Sequence, residues 1–147
     1  MIHPHTQLQF INPQIGYGVV ATSFIPKGTI TWIFDPLDQV FTPGEIKKLA
    51  PVFQDKLNTY TYRDHEGNFI LCWDHSRFVN HSFHSNCIST AYNFELAVRD
   101  IQPGEELTDD YGYLNVTLLY RVRCSRLAVS IEHCSDRNSH ISCFGKR

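Results

Sequence analysis

Six short runs rich in β-branched and aromatic residues constrain the fold more than any other feature of this sequence. Many of them are bounded by Gly, Pro, Asn or Asp, which punctuate strands. The runs are residues 7–11, 18–24, 29–34, 60–63, 68–73 and 91–98. The sequence therefore predicts a mainly β protein.

One segment departs from the strand pattern. Thr42 and Glu45 have the spacing of a capping box, with Pro43 at the first helical position. Apolar residues follow at helical spacing: Ile46, Leu49, Phe53 and Leu57. We expect a short helix or a pair of turns, which Pro51 breaks or kinks near Ala50. Residues 65–68 then suggest a hairpin turn between two strands.

Size and charge exclude several classes of protein. A chain of 147 residues with 42% hydrophobic residues fits one globular domain. Residues 1–120 carry 7 basic and 13 acidic side chains, a net charge of −6, whereas residues 121–147 carry 6 and 2. An acidic body attracts a basic peptide and repels nucleic acid, although a solvated surface without a partner gives the same charge. We expect no direct nucleic-acid partner.

Neither a membrane span nor a secretion signal is visible in the sequence. Apolar stretches such as residues 69–73 fall far short of the roughly 20 residues that a spanning helix needs. The first residues lack the cationic start and apolar core of a signal peptide. We expect an intracellular protein of the cytoplasm or nucleus without a membrane partner.

Residues 16–21 fit the dinucleotide-binding pattern G-x-G-x-x-[G/A]. That pattern requires a helix directly after it, but β-branched residues follow at once and Pro26 stops the segment. The two glycines Gly16 and Gly18 still let the backbone turn sharply or approach a ligand closely. A ligand loop and a plain tight turn remain open.

Two groups of His and Cys residues suggest metal sites, and each has a simpler interpretation. The first group is His75, His81, His84 and Cys87, and the second is Cys124, His133, Cys134, His140 and Cys143. The spacing of the first is poor for one tetrahedral zinc site and suits a buried turn as well. The second fits free thiols as well as it fits zinc.

A crowded acidic segment at residues 105–112 contains two adjacent Glu, two adjacent Asp and Tyr111. Alone, this segment suits a solvated acidic loop followed by a core tyrosine. Together with two earlier motifs it points elsewhere. Three motifs, taken in this order, resemble those of the SET-domain protein lysine methyltransferases. They are Gly-Tyr-Gly at 16–18 with Ile-Pro-Lys-Gly-Thr at 25–29, Arg-Phe-Val-Asn-His-Ser at 77–82, and the run at 99–112.

The resemblance implies a fold and a domain organisation. It implies a β-clip-like SET fold of small curved sheets, with a C-terminal pseudoknot and a short helical insert. The SET domain then spans residues 1–115 with its insert at about 42–72, and residues 116–147 form a C-terminal, post-SET-like segment. The last strand of this insert pairs with the substrate peptide in the family.

The resemblance also implies a cofactor and a set of site residues. S-adenosylmethionine would be held by Gly16, Tyr17, Gly18, Asn80, His81 and Tyr111, and Tyr111 is also the catalytic residue that closes the methyl-transfer site. Tyr62, Phe83 and Tyr113 are candidates to line the lysine channel. The substrate would be a lysine of a protein or peptide, with histone tails as one candidate. A SET-like peptide-binding module without catalysis is the alternative.

Two positions depart from the family pattern. Many members carry Cys where this chain has Phe83, and the tail cysteines lack the spacing of the accompanying zinc site. We therefore expect no zinc of that type, and residues 116–131 are candidates to close the channel as a helix. Asp109 stands where many members carry an aromatic residue that limits the number of methyl groups. Asp109 either attracts the substrate ammonium or faces solvent.

Overall fold

The computed structural model describes residues 1–111. Ten strands and two helices follow one another as β1 Thr6–Asn12, β2 Gly16–Ala21, β3 Ile30–Ile33, β4 Gln39–Phe41, α1 Pro43–Lys48, α2 Pro51–Tyr60, β5 Thr61–Arg63, β6 Phe69–Leu71, β7 Asn80–His81, β8 Cys87–Ser89, β9 Phe94–Ala97 and β10 Glu106–Asp109. A 3₁₀ turn, His75–Phe78, precedes β7. The prediction of a mainly β protein is confirmed.

The larger sheet places its last strand near its middle. Its order is β1-β2-β10-β8-β9-β3, and β7 also pairs with β10. Strand β10 runs antiparallel to β2 and parallel to β7 and β8. The sequence after β10 therefore emerges beside β2, which carries the Gly-Tyr-Gly motif, and β7, which carries the Asn-His motif.

The smaller sheet has three strands in the order β4-β6-β5 and includes the predicted hairpin. Strands β5 and β6 pair in antiparallel register, and the N–H of Gly67 donates to the carbonyl of Asp64 in the turn between them. Helices α1 and α2 lie between β4 and β5 in the chain. The predicted hairpin turn is confirmed.

The capping box and the break at proline are both present. The Thr42 side chain accepts from the N–H of Glu45, and the Glu45 carboxylate accepts from the N–H of Thr42. Leu49 and Ala50 are both extended, and Pro51 begins α2. Proline disfavours helical backbone at Ala50, the residue directly before it. The predicted break is therefore confirmed, with proline at the start of a second helix.

Strands β4, β7, β8 and β10 were not predicted, and the predicted strand 91–98 is shorter in the structure. Strand β10 lies in the acidic segment, where buried Leu107 and Asp109 alternate with the more exposed Glu106 and Thr108. The interpretation of this segment as a solvated acidic loop is therefore wrong. Strand β10 forms because it pairs on both sides in the sheet, and this pairing outweighs the low strand propensity of its acidic residues.

The main core lies against the larger sheet. Its buried apolar side chains include Ile2, Val19, Ala21, Ile25, Trp32, Cys72, Val79, Cys87, Ala97, Ile101 and Leu107. Phe34, Tyr62 and Phe78 pack against this cluster from positions that are partly exposed. The three motifs therefore lie on elements that share one apolar core.

Candidate active site

Asn80 joins the first motif to the third. Its amide Nδ2 donates to the carbonyl of Tyr17 at 3.1 Å and to Oε1 of Glu106 at 2.7 Å. Both amide hydrogens are thus used between β2 and β10, and the amide oxygen can accept a hydrogen bond from a ligand. One side chain therefore fixes the spacing of two segments that lie almost ninety residues apart in the sequence.

A side chain at Gly18 would crowd the same junction. A Cβ at this position would lie 2.3 Å from Oε1 of Glu106, 2.8 Å from Cγ1 of Ile11 and 3.0 Å from Nδ2 of Asn80. Gly16 differs, since its φ of +87° favours glycine and a Cβ there would meet open space. The motif therefore combines one close backbone approach with one turn beside an open surface.

His81 connects the second motif to Tyr111. The backbone N–H of Tyr111 donates to Nδ1 of His81 at 3.2 Å, so the proton of a neutral ring resides on Nε2. His81 Nε2 is buried and has no hydrogen-bond partner among residues 1–111. This N–H is consequently available to a ligand with an acceptor atom.

The Tyr111 hydroxyl donates a hydrogen bond to the backbone carbonyl of Val79, directly before the Asn-His pair. Burial, followed by the negative charges of Asp109, Glu95 and Glu106, raises the pKa of Tyr111 above its usual value. The phenol is therefore neutral at physiological pH. Because its proton is directed at Val79, its oxygen can act only as an acceptor toward a bound molecule.

Two of the predicted aromatic site residues lie at the surface. Tyr17 is half exposed, and its ring packs edge to face on Phe10 and Phe78 at 5.6 and 6.5 Å. Phe83 is 71% exposed and meets the ring of His81 edge to face at 4.6 Å. Phe83 therefore lies beside the junction, where an incoming ligand or peptide can cover it.

Tyr62 lines a cavity of about 130 Å³ rather than the Asn80 junction. Its ring packs edge to face on Trp32 at 5.5 Å, and burial raises the pKa of its hydroxyl above the usual value. The cavity is also lined by Trp32 of β3 and by residues of β5 and the turn after it, of β8, and of the β8–β9 connection and the start of β9: Arg63, Asp64, His65, Ser89, Thr90, Ala91, Asn93 and Phe94. Ser89 connects the cavity to the acidic segment, because its hydroxyl donates to Oδ2 of Asp109 at 2.7 Å.

Asp109 does not face solvent; the structure buries it to 1% exposure, so that expectation is wrong. Glu95 is likewise buried, and its Oε1 accepts from the Thr31 hydroxyl at 2.6 Å. Burial and then the charge of Asp109 raise the pKa of Glu95 to about 7. Neither Glu95 nor Ser89 was predicted as a site residue. The one signal in the sequence was for Glu95, which lies between Phe94 and Leu96 in a predicted strand.

Several predicted features fall outside the described residues. They are Tyr113, the residues 116–131, the tail cysteines and histidines, and the boundary at residue 115. Among residues 1–111 no three His, Cys, Asp or Glu side chains form a group that could hold a metal ion. The histidines 75, 81 and 84 and Cys87 thus do not share one site. Within the same range no helix is long and apolar enough to cross a membrane.

Comparisons with known proteins agree with this geometry. The sequence model of the SET domain matches residues 16–112, about two thirds of the chain. A crystal structure of a Plasmodium falciparum protein, named as a candidate histone methyltransferase, is similar with a TM-score of 0.56 and 19% identity. The similarity covers 76% of this chain and 96% of that one.

No curated protein matches the sequence significantly. The family match spans all three motifs that meet at Asn80, and the chain therefore belongs to the SET-domain family.

Proposed function

We propose that this protein transfers a methyl group from S-adenosylmethionine to the side-chain amine of a lysine in a protein substrate. The observation that carries the proposal is the junction at Asn80, His81 and Tyr111. There Asn80 bonds the Gly-Tyr-Gly strand to β10, and His81 and Val79 bond the tyrosine that follows β10. Three motifs that are separate in sequence thereby form one site.

The residues at the junction suit the proposed cofactor. The Asn80 amide oxygen accepts hydrogen bonds, whereas the His81 Nε2–H donates them. The carboxylate of Glu106, 2.7 Å from Asn80, favours a positively charged ligand. When bound, S-adenosylmethionine supplies an activated methyl group on a sulfonium centre. The open surface beside Gly16 leaves the backbone accessible to it.

A lysine substrate must lose a proton before it can accept a methyl group. Its amine has a pKa of about 10.4 and is protonated in neutral solution. Desolvation next to another positive charge favours the neutral amine, which releases its proton to solvent water, so no dedicated base is required. Tyr111 then contributes alignment, because its hydroxyl proton is held by Val79 and its oxygen can accept a bond from the reacting group.

The net charge of −6 on residues 1–120 supports a basic protein or peptide as the substrate. Histone tails are candidates of this kind, and an intracellular location accords with them. The cavity lined by Tyr62 is the candidate entry for the lysine, since it is separate from the Asn80 junction and is connected to β10 through Ser89 and Asp109.

Calorimetry with S-adenosylmethionine and methyl transfer to a panel of lysine peptides and histones test the proposal. Asn80→Ala should abolish cofactor binding, whereas Asn58→Ala, at an exposed position of α2, should not. Tyr111→Phe should bind the cofactor but lose most methyl transfer, and exposed Tyr92→Phe serves as its control. Wild-type protein that binds a peptide but no S-adenosylmethionine would overturn the proposal in favour of a peptide-binding module.

A further inference from the structure

The two edges of the larger sheet differ in what covers them. Strand β3 lies at one edge, and the first residues of the chain cover it. The N–H of His3 donates to the carbonyl of Thr31 at 2.7 Å. The N–H of Ile33 likewise donates to the carbonyl of Met1 at 3.0 Å. Strand β1 lies at the other edge, and among residues 1–111 it pairs with β2 alone.

The hydrogen bonds between β1 and β2 determine which residues of β1 face outward. In an antiparallel pair, successive residues direct their backbone groups to opposite sides of the strand. The N–H of Thr22 donates to the carbonyl of His5 at 2.9 Å, so His5 faces β2. Every second residue after His5 faces β2 as well. The residues between them, Thr6, Leu8 and Phe10, therefore direct their N–H and C=O groups away from β2.

Residues 6–10 of β1 carry no side chain of the kind that protects an exposed sheet edge. Such edges usually bear charged residues, notably lysine, or proline. These five residues include neither, and no Asp, Glu, Lys or Arg occurs anywhere in residues 6–26. The irregularity in the register of β1 lies after Phe10, beyond this stretch. The exposed side chains point to both faces of the sheet, with Leu8 and Phe10 on one and the two glutamines on the other.

The sequence around Leu8 is symmetric, with a glutamine on either side. Two copies of β1 can therefore pair in antiparallel fashion about a two-fold axis that passes through Leu8. Leu8 then lies opposite Leu8 of the second copy, Gln7 lies opposite Gln9, and Thr6 lies opposite Phe10. Each facing pair uses the outward backbone groups and exchanges two hydrogen bonds, about six in all. The glutamine amides face each other across the pair, where each can donate to the other.

The distribution of charge favours this surface as the place where two copies meet. Residues 1–120 carry a net charge of −6, so two copies repel each other over most of their surface. The hairpin of β1 and β2 lies within the uncharged residues 6–26 and brings no ionised side chain of its own to the contact. Salt screens the repulsion between the two bodies and has no ion pair to weaken within the strand pair. Association should therefore strengthen as salt is added.

We propose that two copies of this protein associate through β1, as an antiparallel strand pair centred on Leu8. The larger sheets of the two copies then form one continuous sheet. The inference is independent of the proposed methyl transfer. Because the paired segment is limited to residues 6–10, the interface is small, and we expect a dissociation constant of about 10–100 µM.

Amide hydrogen exchange of the full chain tests which backbone groups take part. The N–H groups of Gln7 and Gln9 should be protected at any concentration, because β2 binds them. Those of Leu8 and Phe10 should exchange several-fold more slowly at about 600 µM than at about 30 µM protein. Equal protection of Leu8 at both concentrations would show that the same chain covers this edge, and rapid exchange at both would show that nothing does. Either result overturns the inference.

Sedimentation equilibrium measures the association itself. The dissociation constant should fall several-fold when NaCl is raised from about 50 to about 500 mM. Leu8→Pro removes an outward N–H but no bond to β2, and edge strands tolerate such a proline, so association should weaken about tenfold or more. Leu8→Lys should have the same effect, because it sets two like charges opposite each other on the axis. Val40→Lys, at an exposed position of β4, is the control and should associate as the wild type does.

The expected register gives a further test. Facing Cα atoms in such a pair lie about 5.5 Å apart, so mild oxidation of Leu8→Cys should link position 8 of one copy to position 8 of the other. Wild type oxidised in parallel controls for the native cysteines. A wild type that stays monomeric at about 600 µM overturns the inference. A dimer that both Leu8→Pro and Leu8→Lys leave intact, that weakens with salt, or that yields no link at position 8 also overturns it.

Discussion

The amide nitrogen of Asn80 donates to the carboxylate of Glu106 over 2.7 Å, and this bond ties the Asn-His segment to the strand that leads to Tyr111. A carboxylate cannot donate this bond. Asn80→Asp should therefore lower the free energy of unfolding at pH 7 by about 2 kcal/mol and abolish cofactor binding. Urea denaturation measures the first effect and calorimetry the second.

The matched control is Asn58→Asp, which adds the same charge at an exposed position of α2. Acidification to about pH 4 should recover part of the stability of Asn80→Asp, because a protonated carboxyl can donate to Glu106. Equal stability of the two variants at pH 7 would show that the Asn80 bond does not hold these segments together.

Gly18→Ala should damage the same junction by crowding. The new Cβ would lie 2.3 Å from Oε1 of Glu106 and 3.0 Å from Nδ2 of Asn80, so at least one of these side chains must move. We expect a loss of about 1–3 kcal/mol in stability together with weaker cofactor binding. Gly44→Ala is the control, since in α1 its Cβ would make only an ordinary contact, 3.9 Å from Oγ1 of Thr42, and alanine favours the helix. Thermal unfolding that is the same for both variants would contradict the crowding.

Glu95 should make the protein less stable as the pH rises. Its pKa is about 7 in the folded protein and 4.5 in the reference state. The folded state thus binds more protons than the unfolded state between these values, and the stabilisation present below 4.5 is lost as the pH rises through 7. Glu95→Gln should remove this pH dependence, which lowers the free energy of unfolding of the wild type by roughly 3 kcal/mol across the range.

Urea denaturation at pH 4.5 and 8 would measure the slope. Glu66→Gln, at an exposed turn, is the control and should retain the wild-type pH dependence. The free energy of unfolding of the wild type should fall between pH 4.5 and 8 when that of Glu95→Gln is subtracted. If this difference stays constant or rises, Glu95 does not take up a proton on folding.

Tyr62→Phe separates stability from substrate binding. The Tyr62 hydroxyl is buried and has no protein partner in the described part of the chain, so its removal deletes no protein hydrogen bond. We expect unchanged or slightly higher stability and a several-fold higher KM for a lysine peptide, because a polar contact to the ligand is lost. Tyr92→Phe, at an 82% exposed position, should change neither quantity. A fall in stability with normal KM would assign Tyr62 to the core alone.

The sequence predicted those elements whose conformation is set by residues close together in the chain. The capping box at Thr42, the break before Pro51 and the turn at Gly67 depend on residues within a few positions of one another. Strand β10 could not be found in this way. Its strand conformation is set by pairing with Val19 and Val20 of β2 and with Cys87 of β8, which lie far away in the sequence.

The site divides in the same manner. Asn80, His81 and Tyr111 belong to motifs, and the sequence identified them as candidates. Their connections to Tyr17, Glu106 and Val79 required the fold, because no spacing in the sequence encodes a side-chain contact across strands. The buried acids at 95 and 109 were missed or misjudged because acidic residues are usually exposed, and only the alternation of each strand turns them inward.

The central position of β10 has a consequence for synthesis on the ribosome. The hairpin of β1 and β2 and the strands β8 and β9 leave the ribosome before Glu106–Asp109, the strand that lies between them. Until that strand emerges, β2 and β8 each present an unpaired edge. Nascent chains that stop short of residue 109 should therefore remain open to chaperones and proteases, and closure of the sheet should occur as one late, slow event.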